Sequence, residues 1–277
     1  MKYWQEGLLD DLLLFFEPKE AVVGLLLFGS LSQPHFQPEE WSDIDILIIV
    51  RDGTLDSFFP AVDWLAHFGR LYTYSQSADD FTYTTRACFE DFRRMDAVIT
   101  TETECSQIDR WSSVPFASGA RVLFSRAKVV DELAGRVYPQ KKFKAATDEQ
   151  FLELVRNFRF KSMLAVYKII RQDLLIALHL SQDLVRDCCV LAMMLRDRES
   201  GTNIHKQGGP WNRYVTQWGR IQQPFTSMGI LDSIKASNEI FEQLAREWSP
   251  GYQERRQLLF DWMEKSKVKS GANPCMY

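Results

Sequence analysis

The chain has 277 residues, 45% hydrophobic and 25% charged, a mixture that fits a globular protein of one large or two ordinary domains. Lys and Arg number 33 against 37 Asp and Glu, a formal net charge of −4. That balance argues against a general nucleic-acid binder, whose affinity rests on neutralising phosphates, and leaves small or cationic ligands in play.

Residues 2–16 place Trp4, Leu8, Leu9, Leu12 and Phe15 at three- and four-residue spacings and predict an amphipathic helix that ends before Pro18. AVVGLLLF (21–28) predicts a strand buried on both faces and is too short to span a bilayer. It stops at Gly29-Ser30. A Pro-containing loop with Pro34, His35 and Pro38 leads to SDIDILIIV (42–50), a second buried strand. Residues 55–68 read as helical, 70–75, 81–88 and 93–101 as strands, 119–125 as a short strand and 128–138 as a helix. From 139–147 the character changes to helices over about 148–179, 181–198, 231–248 and 252–267. HKQGGPW (205–211) follows no strand, lacks a Walker lysine and reads as an interhelical loop, with His205, like His35, a plain loop histidine. The fold class expected is α+β. Residues 1–140 form a mixed twisted sheet with flanking helices, 145–268 an all-helical bundle, and 269–277 a disordered tail, with the substrate cleft between the two domains.

The five cysteines (Cys88, Cys105, Cys188, Cys189 and Cys275) form no CxxC pair and have no histidine at zinc spacing. Reduced thiols of a cytoplasmic protein are the simplest reading. The start, MKYWQEGLLDD, turns acidic before an apolar signal segment develops, so neither secretion nor membrane contact is expected.

Chemistry concentrates in three places. At the strand end, Gly29 permits a tight turn and close phosphate approach, while Ser30 adds a hydroxyl donor. Asp43 and Asp45, two apart in a strand, point to one face. Two carboxylates so close on an apolar strand need a positive partner, and hard divalent cations such as Mg²⁺ bridging triphosphate oxygens are the usual one. Asp96 lies in a further strand where Met95, Ala97 and Ile99 alternate with Arg94, Asp96 and Val98, and would complete a triad; Glu90 and Asp91 are its rivals. Lys168 and Arg171, near one end of a long helix, are cations that would suit a departing pyrophosphate, although a solvated helix face is the plainer reading.

LLLFGS, twelve residues, then DIDILI resembles the signature of the polymerase-β-like nucleotidyltransferase superfamily, and RRMDAVIT resembles its third-carboxylate strand. GARVLFSRAKVVDEL and the appended helices are similar to the aminoglycoside and lincosamide nucleotidyltransferases. The resemblance implies that Gly29 and Ser30 contact the triphosphate and that Asp43, Asp45 and Asp96 hold two Mg²⁺ ions. It also implies that Asp96 serves the acceptor hydroxyl. The reaction implied is transfer of a nucleoside monophosphate, AMP from ATP or another triphosphate, to a hydroxyl of a small molecule, an antibiotic of those kinds, with pyrophosphate leaving. A further carboxylate from the helical half acts as base in some relatives, and Asp173 and Asp187 are the candidates here. Two alternatives stand beside this reading: a protein or nucleic-acid acceptor, and a non-catalytic nucleotide-binding regulator. A homodimer is left open.

Overall fold

The computed structural model describes residues 3–33, 39, 41–111, 114–116, 119–136, 138, 143–205, 209–219 and 226–265. Pro34, His35, Pro38, residues 206–208 and the 269–277 tail lie outside them. The chain divides into two compact units, residues 1–141 and 142–277.

In the first unit, helix α1 (Trp4–Phe16) buries Gln5, Leu8, Leu12 and Phe16, one stripe at three- and four-residue spacing. Strands β1 (Val22–Phe28), β2 (Ile44–Val50), β3 (Leu71–Ala78), β4 (Tyr83–Phe89), β5 (Arg94–Thr101) and β6 (Arg121–Ser125) form one sheet in the order β3-β4-β5-β2-β1-β6. Only β2 and β5 run parallel; the other neighbours are antiparallel, so the sheet is mixed as expected. The continuous apolar runs of β1 and β2 take central places, where both faces are covered. Polar β3, with most side chains exposed, takes the edge.

Alternation divides the strand residues between two cores. Leu25, Leu27, Ile46, Ile48, Ala97 and Ile99 join α1, Phe58, Trp64 and Phe68 on one face. Leu26, Leu47, Ile49 and Val98 join Cys105, Ile108, Trp111, Phe116, Val130 and Leu133 on the other. The second face is closed by α2 (Glu102–Ser106) and α3 (Lys128–Gly135). The five-residue α2 was not legible as a helix, but a capping box of Thr101 and Glu104 starts it. Residues 55–68 are not one α-helix: they form two 3₁₀ turns, Leu55–Ser57 and Asp63–His67. Pro60 lies between them and has no N–H to continue a helix.

The second unit contains α4 (Asp148–Ile170), α5 (Leu174–Ser200), α6 (Arg213–Trp218), α7 (Ser227–Trp248) and α8 (Arg256–Lys265). Its core includes Phe158 stacked on Phe241 at 3.8 Å between ring centroids, with Leu184, Leu191 and Ile234 fully buried around them. The helix expected over 148–179 stops at Ile170, because Gln172 takes a left-handed φ of 60° and the chain turns into α5. No glycine or proline marks that break, so apolar periodicity carries the eye through it. No described helix is long and apolar enough to cross a membrane.

Candidate active site

Strand register builds the site. In antiparallel pairing Phe28 stands opposite Asp45; in parallel pairing Asp45 stands level with Asp96; and Asp96 faces Arg86 of β4. Residues level across a sheet share a face, as do residues two apart along a strand. Asp45, Asp96, Arg86 and Arg94 therefore project together, and Asp43, one residue before β2, joins them. The residues that follow on this face, Leu47 and Val98, lie in the core closed by α2 and α3. At the strand starts the face instead borders an open groove of about 410 Å³ lined by Asp43, Arg86, Arg94 and Asp96 with Thr73 and Ser75.

One carboxylate oxygen from each of Asp43, Asp45 and Asp96 lies within 4.8 Å of the others, the one group among the described residues placed to share a metal ion. Crowding shows in the electrostatics. Burial, then the neighbouring carboxylates of Asp43 and Asp96, push the Asp45 carboxyl up to about 7, against the lowering pull of Arg94 and Arg86. Burial also raises Asp96, partly offset by Arg86 beside it. The guanidinium of Arg86 donates from Nε to Asp96 Oδ2 at 3.0 Å, and Arg94 Nη2 lies 3.4 Å from Asp43 Oδ2 while donating to the Trp41 carbonyl at 3.2 Å.

Gly29 opens a four-residue 3₁₀ turn, Gly29–Ser32, directly after β1. Its φ of +70° favours glycine, and a Cβ there would overlap Asp45 Oδ2. The turn and the carboxylate cluster thus require each other: a side chain at 29 would expel the Asp45 carboxylate from its place. Ser32 Oγ donates to the Gly29 carbonyl at 2.9 Å and to the Gly119 carbonyl at 3.3 Å, tying the turn down. Ser30 is partly exposed in the same turn.

Glu90 and Asp91 stay out of this cluster, paired with Arg70 and Arg93 in the β4–β5 turn. In the second unit Lys168 donates to Asp173 at 2.8 Å, buried Asp187 is paired with Lys161, and His205 meets Asp197 of α5 at 2.8 Å. Three contributors were not singled out from sequence. Arg86 has no local signal, since only the β4–β5 pairing sets it against Asp96. Arg94 shares the Asp96 side of an alternating strand, which is a usable signal. Gln5 is a polar residue in the buried stripe of α1, and its Nε2 donates to the carbonyls of Glu39 and Ser42 at 2.9 and 3.0 Å, fixing the chain just before Asp43.

The family model described as streptomycin adenylyltransferase matches residues 1–270. No curated protein sequence matches the chain. Among solved structures it is similar to an aminoglycoside 6-adenyltransferase from Bacillus subtilis, at 16% identity and a TM-score of 0.38, over 97% of this chain and 100% of that one. It is also similar to a spectinomycin adenyltransferase from Enterococcus faecialis with ATP and spectinomycin, at 13% identity and a TM-score of 0.29, over 97% and 100%. At those scores the structural likenesses add no weight to the family match. A match across nearly the whole length settles membership: the chain belongs to the streptomycin adenylyltransferase family and is a nucleotidyltransferase.

Proposed function

We propose that the chain transfers AMP from ATP to a hydroxyl of an aminoglycoside-type antibiotic, with Asp43, Asp45 and Asp96 holding two Mg²⁺ ions and Gly29 and Ser30 against the triphosphate. The observation that carries this reading is the convergence of three carboxylates, from β2, the residue before it and β5, beside a turn where glycine lets the Asp45 carboxylate lie against the backbone. The donor set fits Mg²⁺: all ligands are hard oxygens, and the burial and mutual repulsion that raise Asp45 are what a divalent cation offsets. When bound, the ions supply charge stabilisation at the attacking and leaving oxygens.

The protein's own groups have separate tasks in this reading. Gly29 leaves room for both the Asp45 carboxylate and a phosphate against the backbone, and the Ser30 hydroxyl donates to a phosphate oxygen. Asp96, on the strand farther from the glycine turn, receives the proton of the acceptor hydroxyl. The bond formed joins the acceptor oxygen to the α-phosphorus; the bond broken releases pyrophosphate. Residues 142–277 supply contacts to the acceptor, and residues 1–141 carry the nucleotide site. A cytoplasmic location belongs to the same reading, and the free thiols of Cys88, Cys105, Cys188 and Cys189 suit a reducing compartment.

Labelled ATP, Mg²⁺ and a panel of streptomycin, spectinomycin and a lincosamide test the assignment. Pyrophosphate release with AMP attached to streptomycin or spectinomycin is the expected result, lost in Asp45→Asn. Absence of turnover with every panel member removes the antibiotic acceptor, and turnover that survives Asp45→Asn removes the site.

A further inference from the structure

Three carboxylates and two arginines occupy one patch of sheet, and the arginines are spent on the carboxylates. Arg86 reaches Asp96 Oδ2 at 3.0 Å from the neighbouring strand β4, and Arg94 approaches Asp43 Oδ2 at 3.4 Å from β5 itself. Asp45, the most deeply perturbed member, has neither as a hydrogen-bond partner and feels both as charges. The geometry follows from register: Arg86 is the β4 partner of Asp96, and Arg94 shares a face with it two residues earlier along the strand. Each guanidinium therefore touches an acid that the nucleotidyl-transfer reading gives to metal.

We propose that Arg86 and Arg94 are internal counter-ions that compete with free divalent cation for the triad, so that the metal site fills efficiently only together with the nucleotide. This rests on the reading of Asp43, Asp45 and Asp96 as metal ligands. With all three acids ionised the patch carries a formal −3, and the two guanidinium groups reduce it to −1. The lower charge weakens capture of a bare divalent cation. It also lessens repulsion of the anionic metal–triphosphate complex, which a bare −3 patch would oppose. The same pairs hold Asp43 and Asp96 in place before the metal arrives, making the arginines positioning residues.

Neutral variants of each arginine test the proposal in the absence of nucleotide. Binding of Mn²⁺, followed by electron paramagnetic resonance on the full chain, should tighten roughly two- to fivefold in Arg86→Gln and in Arg94→Gln, the scale of a half-exposed ion pair. Arg86→Lys, which keeps the charge, should stay near wild type, and KM for the magnesium–ATP complex should rise in the Gln variants. Unchanged or weaker Mn²⁺ affinity in both Gln variants, with their circular dichroism intact, overturns the proposal while leaving the metal site standing. Mn²⁺ that binds neither wild type nor any variant without nucleotide overturns the proposal, and Mn²⁺ that still fails to bind when ATP is added overturns the site as well. If Arg86→Gln misfolds, Arg94→Gln alone decides, with Arg94→Lys as the charge-keeping control, since either change also alters the bond to the Trp41 carbonyl.

Discussion

The Asp45 carboxyl is raised from an ordinary value of 3.8 to about 7, so between those two pH values the folded chain holds a proton that the unfolded chain has released. Stability therefore falls as pH rises through that window, and the loss is complete above the folded value. Asp45→Asn removes the group and its repulsion with Asp43 and Asp96. The prediction is that, in metal-free buffer, Tm of the variant exceeds that of wild type at pH 8 and that the gap closes towards pH 5. Excess Mg²⁺ should narrow the gap at pH 8 from the other side, because metal offsets the repulsion among the ionised carboxylates and stabilises the wild type alone. Thermal unfolding at the two pH values, with chelator or with Mg²⁺, reads all of this. A variant less stable than wild type at pH 8 without metal would mean that Asp45 is held by partners rather than crowded by like charges.

At the scale of elements, α3 packs closely against β1, on the sheet face that also carries the carboxylates. Gly24 lies in the middle of β1, and a Cβ there would come within 2.5 Å of Val130 Cγ2 and 2.7 Å of Cγ1. Gly24→Ala should cost about 1–3 kcal/mol by overpacking. Val130→Ala opens the same space and should absorb much of that cost, so that the double variant is less destabilised than the sum of the singles by roughly 1 kcal/mol. Denaturant unfolding of the four proteins measures the coupling; strict additivity would show that α3 shifts freely. The glycine was visible in the run AVVGLLLF, but its reason was not, because it lies in a helix a hundred residues away. The same limit recurs elsewhere. Buried strands, the Gly29 turn and the Asp43/Asp45 pair were legible, since apolar runs and a spacing of two are local facts. The 3₁₀ turns around Pro60, the break at Gln172 and the role of Arg86 were not, because strand pairing and tertiary contact decide them.

At the scale of the molecule, the described residues form separate cores with separate tasks. Trp64, Phe16 and Phe68 anchor one face of the sheet, Trp111 and Phe116 the other, and Phe158, Phe241 and Leu184 the helical unit. Every carboxylate of the triad, both arginines and the glycine turn belong to residues 1–141. That unit is of ordinary domain size, and domains of that size with their own core fold alone. Expressed separately, residues 1–141 should unfold in one cooperative transition and bind Mn²⁺ with an affinity close to that of the whole chain. It should transfer no AMP to streptomycin, because the acceptor contacts proposed for residues 142–277 are missing. The helical fragment should fold as well and bind no Mn²⁺. Calorimetry with metal titration of the two fragments and the full chain makes the comparison. A 1–141 fragment that folds yet binds Mn²⁺ far more weakly than the intact protein would show that the second unit completes the metal site, and the division of labour between the units would have to be redrawn.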